Sequence, residues 1–291
     1  ASTSGGDCGT DFACTETIID PSRSLPYIIN VAALDANGIK TSYSTPGASV
    51  WVSGFGGEYG VTNPAIMTTD QSGCASGYVG ANSSRTSMRN AFENNSGDHP
   101  ENLDCNYTSS FNGTSSAAPT VSGVVALMLE ANPDLTWRDV KHILASTSDQ
   151  VDSSRSYGYR GVTQYEWETN SAGYKFHNWY GFGKVDAAEA VATAASYTDY
   201  REGFLITPGY IPSGNISALI NDNGSDTSSS VSITAPEGSN DSVEFVRVFV
   251  KFSHSVPKSV GLRLMSPDGT VINAMQPMTN VGSTSSGTFF A

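Results

Sequence analysis

The segment FNGTSSAAPTVSGVVALMLEANPDLTWRDVKHIL, residues Phe111 to Leu144, decides the fold class. It places Gly-Thr-Ser-Ser-Ala-Ala-Pro directly before a long apolar run, which predicts a helix from Ser116 to Asn132. A helix N-terminus carries unpaired N–H groups and partial positive charge, and small side chains let a ligand approach its backbone. Ser and Thr are also common helix caps, so local chemistry alone leaves a reactive hydroxyl and a simple cap as open alternatives.

The surrounding segments predict an α/β layer architecture. Leu25 to Leu34 is a short apolar run between turn residues and predicts a buried strand. Ser49 to Ser53 predicts another strand, just before the Gly-rich GFGGEYG. Thr136, with Asp139 three residues later, predicts the capped start of a second helix, and Val185 to Ala195 predicts a third. Strands that alternate with helices indicate helices packed on a sheet.

The first helix is predicted to be buried, because its residues are apolar or small on every side. Pro119 is expected in its first turn, where a missing N–H costs little. Residues 68–114, just before it, are polar and predict a long loop.

The pattern changes near Tyr197, where helical spacing gives way to alternating segments separated by Gly, Pro, Asn and Asp. Such alternation is typical of an antiparallel β-sandwich. We therefore expect two domains, residues 1–196 and residues 197–291.

Composition narrows the classes of partner. The formal net charge of −13 argues against nucleic acid or an anionic membrane as a partner, and no apolar run reaches the length of a membrane helix. The charge agrees with a soluble secreted protein that binds cationic peptides or calcium. We expect a monomer.

The four cysteines, Cys8, Cys14, Cys74 and Cys105, show no CxxC spacing and no zinc-like pattern with histidine. An even number indicates two disulfides formed in an oxidising compartment. Four cysteines allow three pairings. We favour Cys8–Cys14 and Cys74–Cys105, because each bridge closes a polar loop segment.

The motif Asn112 to Pro119, NGTSSAAP, resembles the nucleophile motif of the subtilisin-like serine proteases, the subtilases. LMLEANPDLTWRDVKHIL (residues 127–144) and YGFGKVDA (residues 180–187) resemble the kexin and furin branch, the proprotein convertases. The resemblance covers essentially the whole chain in the right order. It implies the C-terminal part of a subtilisin-like α/β catalytic domain in residues 1–196. A truncated β-sandwich or jelly roll like that branch's P domain is expected in residues 197–291.

The resemblance implies roles for three neighbouring residues. Ser115 would be the nucleophile that attacks a peptide carbonyl, with its own backbone N–H donating to the oxyanion. Gly113 and Thr114 would border the substrate, Gly113 leaving its backbone room to approach and Thr114 in a structural role. Ser116 is expected to point elsewhere on the helix.

A catalytic triad also needs a His base and an Asp that orients it. None of the four histidines, His99, His142, His177 and His254, has the His-Gly-Thr context of the family's base. The family's oxyanion Asn also lies earlier, and the first Asn here, Asn30, falls in a predicted strand. We expect Asp, His and Asn upstream of this chain. The chain alone is therefore expected to be inactive and, with its sandwich incomplete, poorly stable.

Alignment of DPSRSLP (residues 20–26) with the family's corresponding loop places Asp20 at the bottom of the primary specificity pocket. A carboxylate there selects basic side chains. The alternative is that Asp20 only caps the turn before Pro21. Thr45 occupies the position where the family has an acidic calcium ligand. At this position the chain therefore departs from the family's pattern for one calcium site and for dibasic specificity.

The resemblance also implies structural calcium. Asp70, Asp98, Glu101 and Asp104 are candidate ligands, because carboxylates are hard oxygen donors, and a solvated loop is the alternative for each. Polypeptides are the expected substrates, and a propeptide or chaperone is a candidate partner.

The sequence therefore predicts a secreted serine endopeptidase that forms an acyl-enzyme on Ser115. The rival from another class is a non-catalytic pseudoprotease or adhesion module, which has no need of an intact GTSSAAP motif. An α/β-hydrolase esterase requires G-x-S-x-G, and Ala117 occupies the position of its second Gly.

Overall fold

The computed structural model describes residues 16–79, 90–93, 99–159, 162–201, 212, 219–220, 225–232, 243–279 and 288–290. This part of the chain contains three α-helices, one parallel pair of strands and five antiparallel pairs. None of its helices is both long and apolar enough to cross a membrane.

The parallel pair consists of β1 (Asn30–Leu34) and β2 (Val50–Phe55), with Val31 opposite Val52 and Leu34 opposite Phe55. The second strand is confirmed. The first begins later than predicted, because the chain before Asn30 forms turns closed by local hydrogen bonds, such as Ile28 N–H to the Leu25 carbonyl at 3.1 Å.

A second pair, antiparallel, consists of β3 (Ile66–Thr69) and β4 (Tyr107–Phe111). The prediction of a loop throughout residues 68–114 was wrong here, because strands in this polar segment pair with each other across a long connection. The Cys74–Cys105 disulfide, with Cα atoms 4.9 Å apart, joins the two ends of that connection and confirms the predicted pairing. Cys8 and Cys14 lie outside the described residues.

The long helix α1 (Thr114–Ala131) begins two residues earlier than predicted. Pro119 therefore lies in the second turn, and the prediction that it occupies the first turn was wrong. The prediction of all-round burial was also wrong: α1 buries one stripe that includes Val121 and Met128, whereas Leu127, on another side, is 50% exposed.

Helix α2 (Trp137–Thr147) has the predicted start: Thr136 accepts from Asp139 N–H, and the Asp139 carboxylate accepts from Thr136 N–H. Two small antiparallel pairs follow, β5 (Tyr157–Tyr159) with β6 (Val162–Tyr165), and β7 (Glu168–Thr169) with β8 (Lys175–Phe176).

Helix α3 (Ala187–Ser196) starts after Asp186, whose carboxylate accepts a hydrogen bond from Glu189 N–H. Helices α1 and α2 contact β2, α1 also contacts β1, and α3 packs against α1 and α2, all around one apolar cluster. Its buried members are Val52, Val121, Val124, Met128, Leu135, Val140, Ile143, Leu144, Ala190 and Ala194.

The described strands after α3 are all antiparallel, as their alternating sequence predicts. β9 (Val248–Val250) pairs with β12 (Thr288–Phe290), and β10 (Leu262–Met265) forms a hairpin with β11 (Val271–Met275). The division of the chain into two domains at residues 196 and 197 stays a prediction.

Candidate active site

Ser115 is the second residue of α1 and is exposed. Strand β4 ends at Phe111, so only Asn112 and Gly113 separate the strand from the helix. Gly113 has φ of 117°, a conformation that side-chain-bearing residues rarely adopt, so glycine is required at this tight junction. The junction thus presents Ser115 at the start of a long helix.

The backbone of Gly113 is hydrogen-bonded on both sides. Its N–H donates to the Gly56 carbonyl at 3.1 Å and to the Tyr43 hydroxyl at 2.9 Å. Its carbonyl accepts from Ser116 N–H at 2.9 Å and Ala117 N–H at 3.3 Å. Gly113 is therefore joined both to the end of β2 and to the first turn of α1.

The N–H of Ser115 has no intrahelical acceptor, because the residue four positions earlier, Phe111, belongs to β4 and lies outside the helix. The helix dipole adds partial positive charge at the same place. The next serine differs: Ser116 is only 4% exposed, so its side chain packs inward. Ser115 is the serine of this turn that solvent and ligands can reach.

A cavity of about 350 Å³ opens beside this turn. Its described lining combines the nucleophile motif with residues around β1, β2 and the segment between them. These residues are Thr17, Arg23, Asn30, Val31, Tyr43, Thr45, Val50, Tyr59, Asn112, Gly113, Thr114 and Ser115. The structure thus brings Gly113, Thr114 and Ser115, three residues singled out from the sequence, to one cavity.

Asp20 is not among the described lining residues, whereas its neighbour Arg23 is. The Asp20 carboxylate accepts from Ser22 N–H at 3.0 Å and from the Ser22 hydroxyl at 2.7 Å, and it lies 3.4 Å from Arg23 Nε. The bonds from Ser22 hold the pKa of Asp20 below its usual value. In this arrangement Asp20 caps the turn, which is the alternative that the sequence left open.

None of the four histidines is among the described residues that line the cavity. His177 is fully buried, its Nδ1 accepts from Trp179 N–H at 3.0 Å, and burial lowers its pKa to about 4. His142 and His99 pack against aromatic rings, and His254 bonds within its own turn. Each histidine thus makes its contacts outside the described lining of the cavity.

Asn30 lines the cavity, but its side-chain amide is already engaged. Its Nδ2 donates to the Arg23 carbonyl at 2.7 Å and to the Ser49 carbonyl at 2.8 Å. The amide therefore ties the start of β1 to two neighbouring segments. It is not directed at a substrate oxyanion.

The candidate calcium ligands do not form a metal site within the described residues. The Asp70 carboxylate accepts from the N–H groups of Gln71, Tyr78 and Val79 at 2.7 to 2.8 Å, which uses it to shape a loop. Asp98 lies outside the described residues, and no group of three His, Cys, Asp or Glu side chains suited to a metal occurs within them. Asp70, Glu101 and Asp104 therefore do not belong to such a group within the described part of the chain.

Comparison with known proteins identifies the family. Residues 2–183 match the model of the Subtilase family. The chain belongs to the subtilase family. It is 34% identical over 275 residues to the extracellular serine protease of Aeromonas sobria, an alignment that covers 90% of this chain and 42% of that protein. This subtilase chain therefore spans about two fifths of the length of that relative.

Other similarities agree with the predicted family and fold. A crystal structure of the Aeromonas sobria serine protease in complex with a chaperone matches with a TM-score of 0.76 and 29% identity, covering 97% of this subtilase and 51% of that chain. Human proprotein convertase subtilisin/kexin type 6 is 44% identical over 91 residues, 31% of this chain and 8% of that protein. A calcium-dependent protease of Nostoc is 34% identical over 178 residues, 60% of this chain and 22% of that protein. The subtilase family and the subtilisin-like fold are confirmed.

Sequence reasoning missed the rest of the cavity wall. Tyr43, Tyr59 and Arg23 lie 56 to 92 residues before Ser115 and share no motif with it. Their places depend on how β1 and β2 pair, which a single sequence does not reveal.

Proposed function

We propose that the protein is a serine endopeptidase that cleaves peptide bonds through an acyl-enzyme on Ser115. One observation carries this proposal: Ser115 is exposed at the second position of α1, beside a cavity and next to a glycine with φ of 117°. In the proposed reaction the Ser115 hydroxyl gives its proton to a His base as its oxygen attacks the substrate carbonyl, and the Ser115 N–H donates to the developing oxyanion. The base passes that proton to the amine half of the substrate, which leaves as the C–N bond breaks. Water then hydrolyses the acyl ester, which releases the carboxylic acid half and restores the Ser115 hydroxyl.

The proposed roles of the neighbours follow from the same geometry. Gly113 leaves room for the substrate backbone, because it carries no side chain at the point where the chain turns. Thr114 is the first residue of α1 and borders the cavity, so it is proposed to contact substrate.

The base and its orienting carboxylate are proposed to lie outside residues 1–291. Three observations support this: no His, Asp or Glu is among the described lining residues, the four histidines have other surroundings, and the extracellular relative is more than twice as long. Residues 1–291 by themselves are therefore expected to be inactive.

Secretion is proposed from the disulfide and from the relatives. Cys74–Cys105 is of the kind that persists in oxidising compartments, and the Aeromonas sobria relative is named an extracellular protease. Residues 197–291 are proposed to be part of a P-domain-like β-sandwich, in agreement with the antiparallel pairing of their described strands.

A preference for basic residues before the cut remains a prediction that depends on Asp20. In this structure Arg23 lines the cavity and pairs with Asp20, so the Asp20 carboxylate already has a cationic partner. Peptides with Arg, Gln or Glu before the scissile bond would test it with the complete protein. If Asp20→Asn leaves the Arg-to-Gln ratio of kcat/KM unchanged, Asp20 does not set the preference.

Two partners are proposed from relatives alone. The calcium-dependent protease of Nostoc supports structural calcium, held by residues other than the three described candidate acids. The crystallised complex of the Aeromonas sobria protease with a chaperone supports a chaperone or propeptide as a partner.

The decisive test is labelling of the complete protein with a fluorophosphonate probe, which reacts covalently with an activated serine. Labelling is expected in the wild type and in Ser116→Ala, and it is expected to be lost in Ser115→Ala. Ser116→Ala is the matched control, because it removes the adjacent, buried hydroxyl from the same turn. An unlabelled wild type would favour the non-catalytic alternative, a pseudoprotease or adhesion module.

A further inference from the structure

We infer that Tyr43 is a positioning residue for the nucleophile: its hydroxyl joins the turn before Ser115 to the end of β2. The inference rests on the proposed role of Ser115. It concerns a contact between residues 70 positions apart in the sequence, Tyr43 and Gly113.

The hydroxyl makes hydrogen bonds in both directions. It accepts from Gly113 N–H at 2.9 Å and donates toward the Gly56 carbonyl at 2.9 Å, with the Gly57 carbonyl also in contact. A phenol has one proton to donate and lone pairs to accept with, so both roles can be filled together. Burial raises the pKa of Tyr43, which keeps that proton in place at neutral pH.

The three segments that meet at this hydroxyl are closely packed. A Cβ added to Gly56 would lie 2.6 Å from the Ala33 Cβ, 2.9 Å from the Gly113 carbonyl oxygen and 3.0 Å from the Tyr43 hydroxyl. Contacts this short leave no space for a side chain at Gly56. The Tyr43 hydroxyl is therefore closely surrounded by the backbone of Gly56, Gly57 and Gly113.

The position of Tyr43 is itself determined by its neighbours. Thr41 N–H donates to the Ala33 carbonyl at 3.0 Å, and the buried Ser44 hydroxyl accepts from Ala33 N–H at 3.0 Å. Thr41 and Ser44, on either side of Tyr43, are thus both hydrogen-bonded to β1. The Tyr43 ring extends from an anchored segment toward the Ser115 turn.

Loss of the hydroxyl would leave Gly113 N–H with one longer bond, 3.1 Å, to the Gly56 carbonyl. The turn from Gly113 to Ser115 would then sample more orientations, and attack requires a narrow range of them. Tyr43 lines the cavity, and phenylalanine retains the aromatic ring. Its hydroxyl acts on the reaction only through Gly113.

The test is Tyr43→Phe in the complete protein, with the rate and affinity steps of fluorophosphonate labelling measured separately. We expect the maximal labelling rate to fall about three- to tenfold, as for loss of one neutral hydrogen bond. The probe concentration for half-maximal rate should stay within about twofold. Amide hydrogen exchange at Gly113 should become faster, a readout that does not depend on activity.

Tyr180→Phe is the matched control. It also removes a hydroxyl that accepts a backbone N–H, from Lys40 at 3.3 Å, and donates to a side chain, Asp152 at 2.7 Å, but Tyr180 is not among the described lining residues. This control is expected to lower the unfolding temperature and leave the labelling rate of the native protein unchanged.

The outcomes separate the two proposals. A labelled wild type with an unchanged rate in Tyr43→Phe overturns the positioning role and leaves Ser115 as the nucleophile. An equal loss of rate in Tyr180→Phe also overturns it, because any lost hydroxyl would then have the same effect. A wild type that does not label overturns the role of Ser115, and the positioning inference with it.

Discussion

Replacement of Glu16 by Gln is expected to remove a pH dependence from the stability of the fold. Glu16 is only 2% exposed and lies between distant parts of the chain: its Oε1 accepts from the Tyr165 hydroxyl and, at 3.2 Å, from Gln276 N–H. Burial raises its pKa to about 8, against which these hydrogen bonds act only partly. The carboxyl is therefore protonated in the folded protein at neutral pH.

The direction of this pH dependence follows from whether the folded or the unfolded chain holds the Glu16 proton. Below pH 4.5 the Glu16 carboxyl is protonated in both the folded and the unfolded chain, and its stabilising contribution is fully present. Between pH 4.5 and about 8 only the folded chain keeps the proton, so the free energy of unfolding falls as pH rises. Each pH unit is worth about 1.4 kcal/mol, so the decrease from pH 5 to pH 8 is at most roughly 4 kcal/mol.

Another buried group titrates in the opposite sense. Burial lowers the pKa of His177 to about 4, so its contribution is present above pH 6.5 and is lost as pH falls toward 4. Tyr165 faces Glu16 directly, and burial raises its pKa well above the usual value, so it does not titrate in this window. His177 is present in both wild type and Glu16→Gln, so its contribution cancels when the free energies of unfolding of the two proteins are subtracted.

The assay is urea unfolding of the complete protein at pH 5 and pH 8, for wild type, Glu16→Gln and the exposed control Glu101→Gln. Wild type and Glu101→Gln should lose more stability between the two pH values than Glu16→Gln does, by at most roughly 4 kcal/mol. Equal losses in all three would refute the reasoning, because Glu16 would then be ionised in the folded state.

Three further changes have expected outcomes. Gly113→Ala forces a side chain onto a backbone with φ of 117°, which should destabilise the fold by about 1–3 kcal/mol. It should also slow fluorophosphonate labelling more than Tyr43→Phe does, and equal labelling rates in these two variants would contradict this. The double change Cys74→Ser with Cys105→Ser opens the disulfide and should lower the free energy of unfolding by about 3 kcal/mol in urea titrations, whereas unchanged stability would mean that the loop is held by other contacts. Thr136→Ala removes the cap of α2 and should cost about 1 kcal/mol by the same measurement, with no change in labelling.

Several features specified by neighbouring residues were predicted correctly from the sequence. The start of α2 is an example, because Thr136 and Asp139 bond to each other's backbone within one turn. The strand Val50–Phe55 is another, since a strand was predicted at Ser49 to Ser53, just before a Gly-rich segment. The Cys74–Cys105 bridge was also found, because loop closure favoured that pairing.

Features that depend on distant contacts were missed. Strand β4 lies in a polar segment and exists through its pairing with β3, which is about 40 residues earlier. The side of α1 that faces β2 and α3 is buried and the rest is exposed, which its apolar composition could not distinguish.

The backbone of Ser115 shows why its position has to come from its neighbours. Its N–H has no intrahelical acceptor because it lies in the first turn, and its carbonyl has no donor one turn later because Pro119 has no N–H. Neither side of Ser115 therefore takes part in the regular ladder of α1. The ladder instead reaches back past it, from Ser116 and Ala117 to the Gly113 carbonyl. Whatever holds Gly113 consequently holds Ser115, and the structure assigns that function to the end of β2 and to Tyr43.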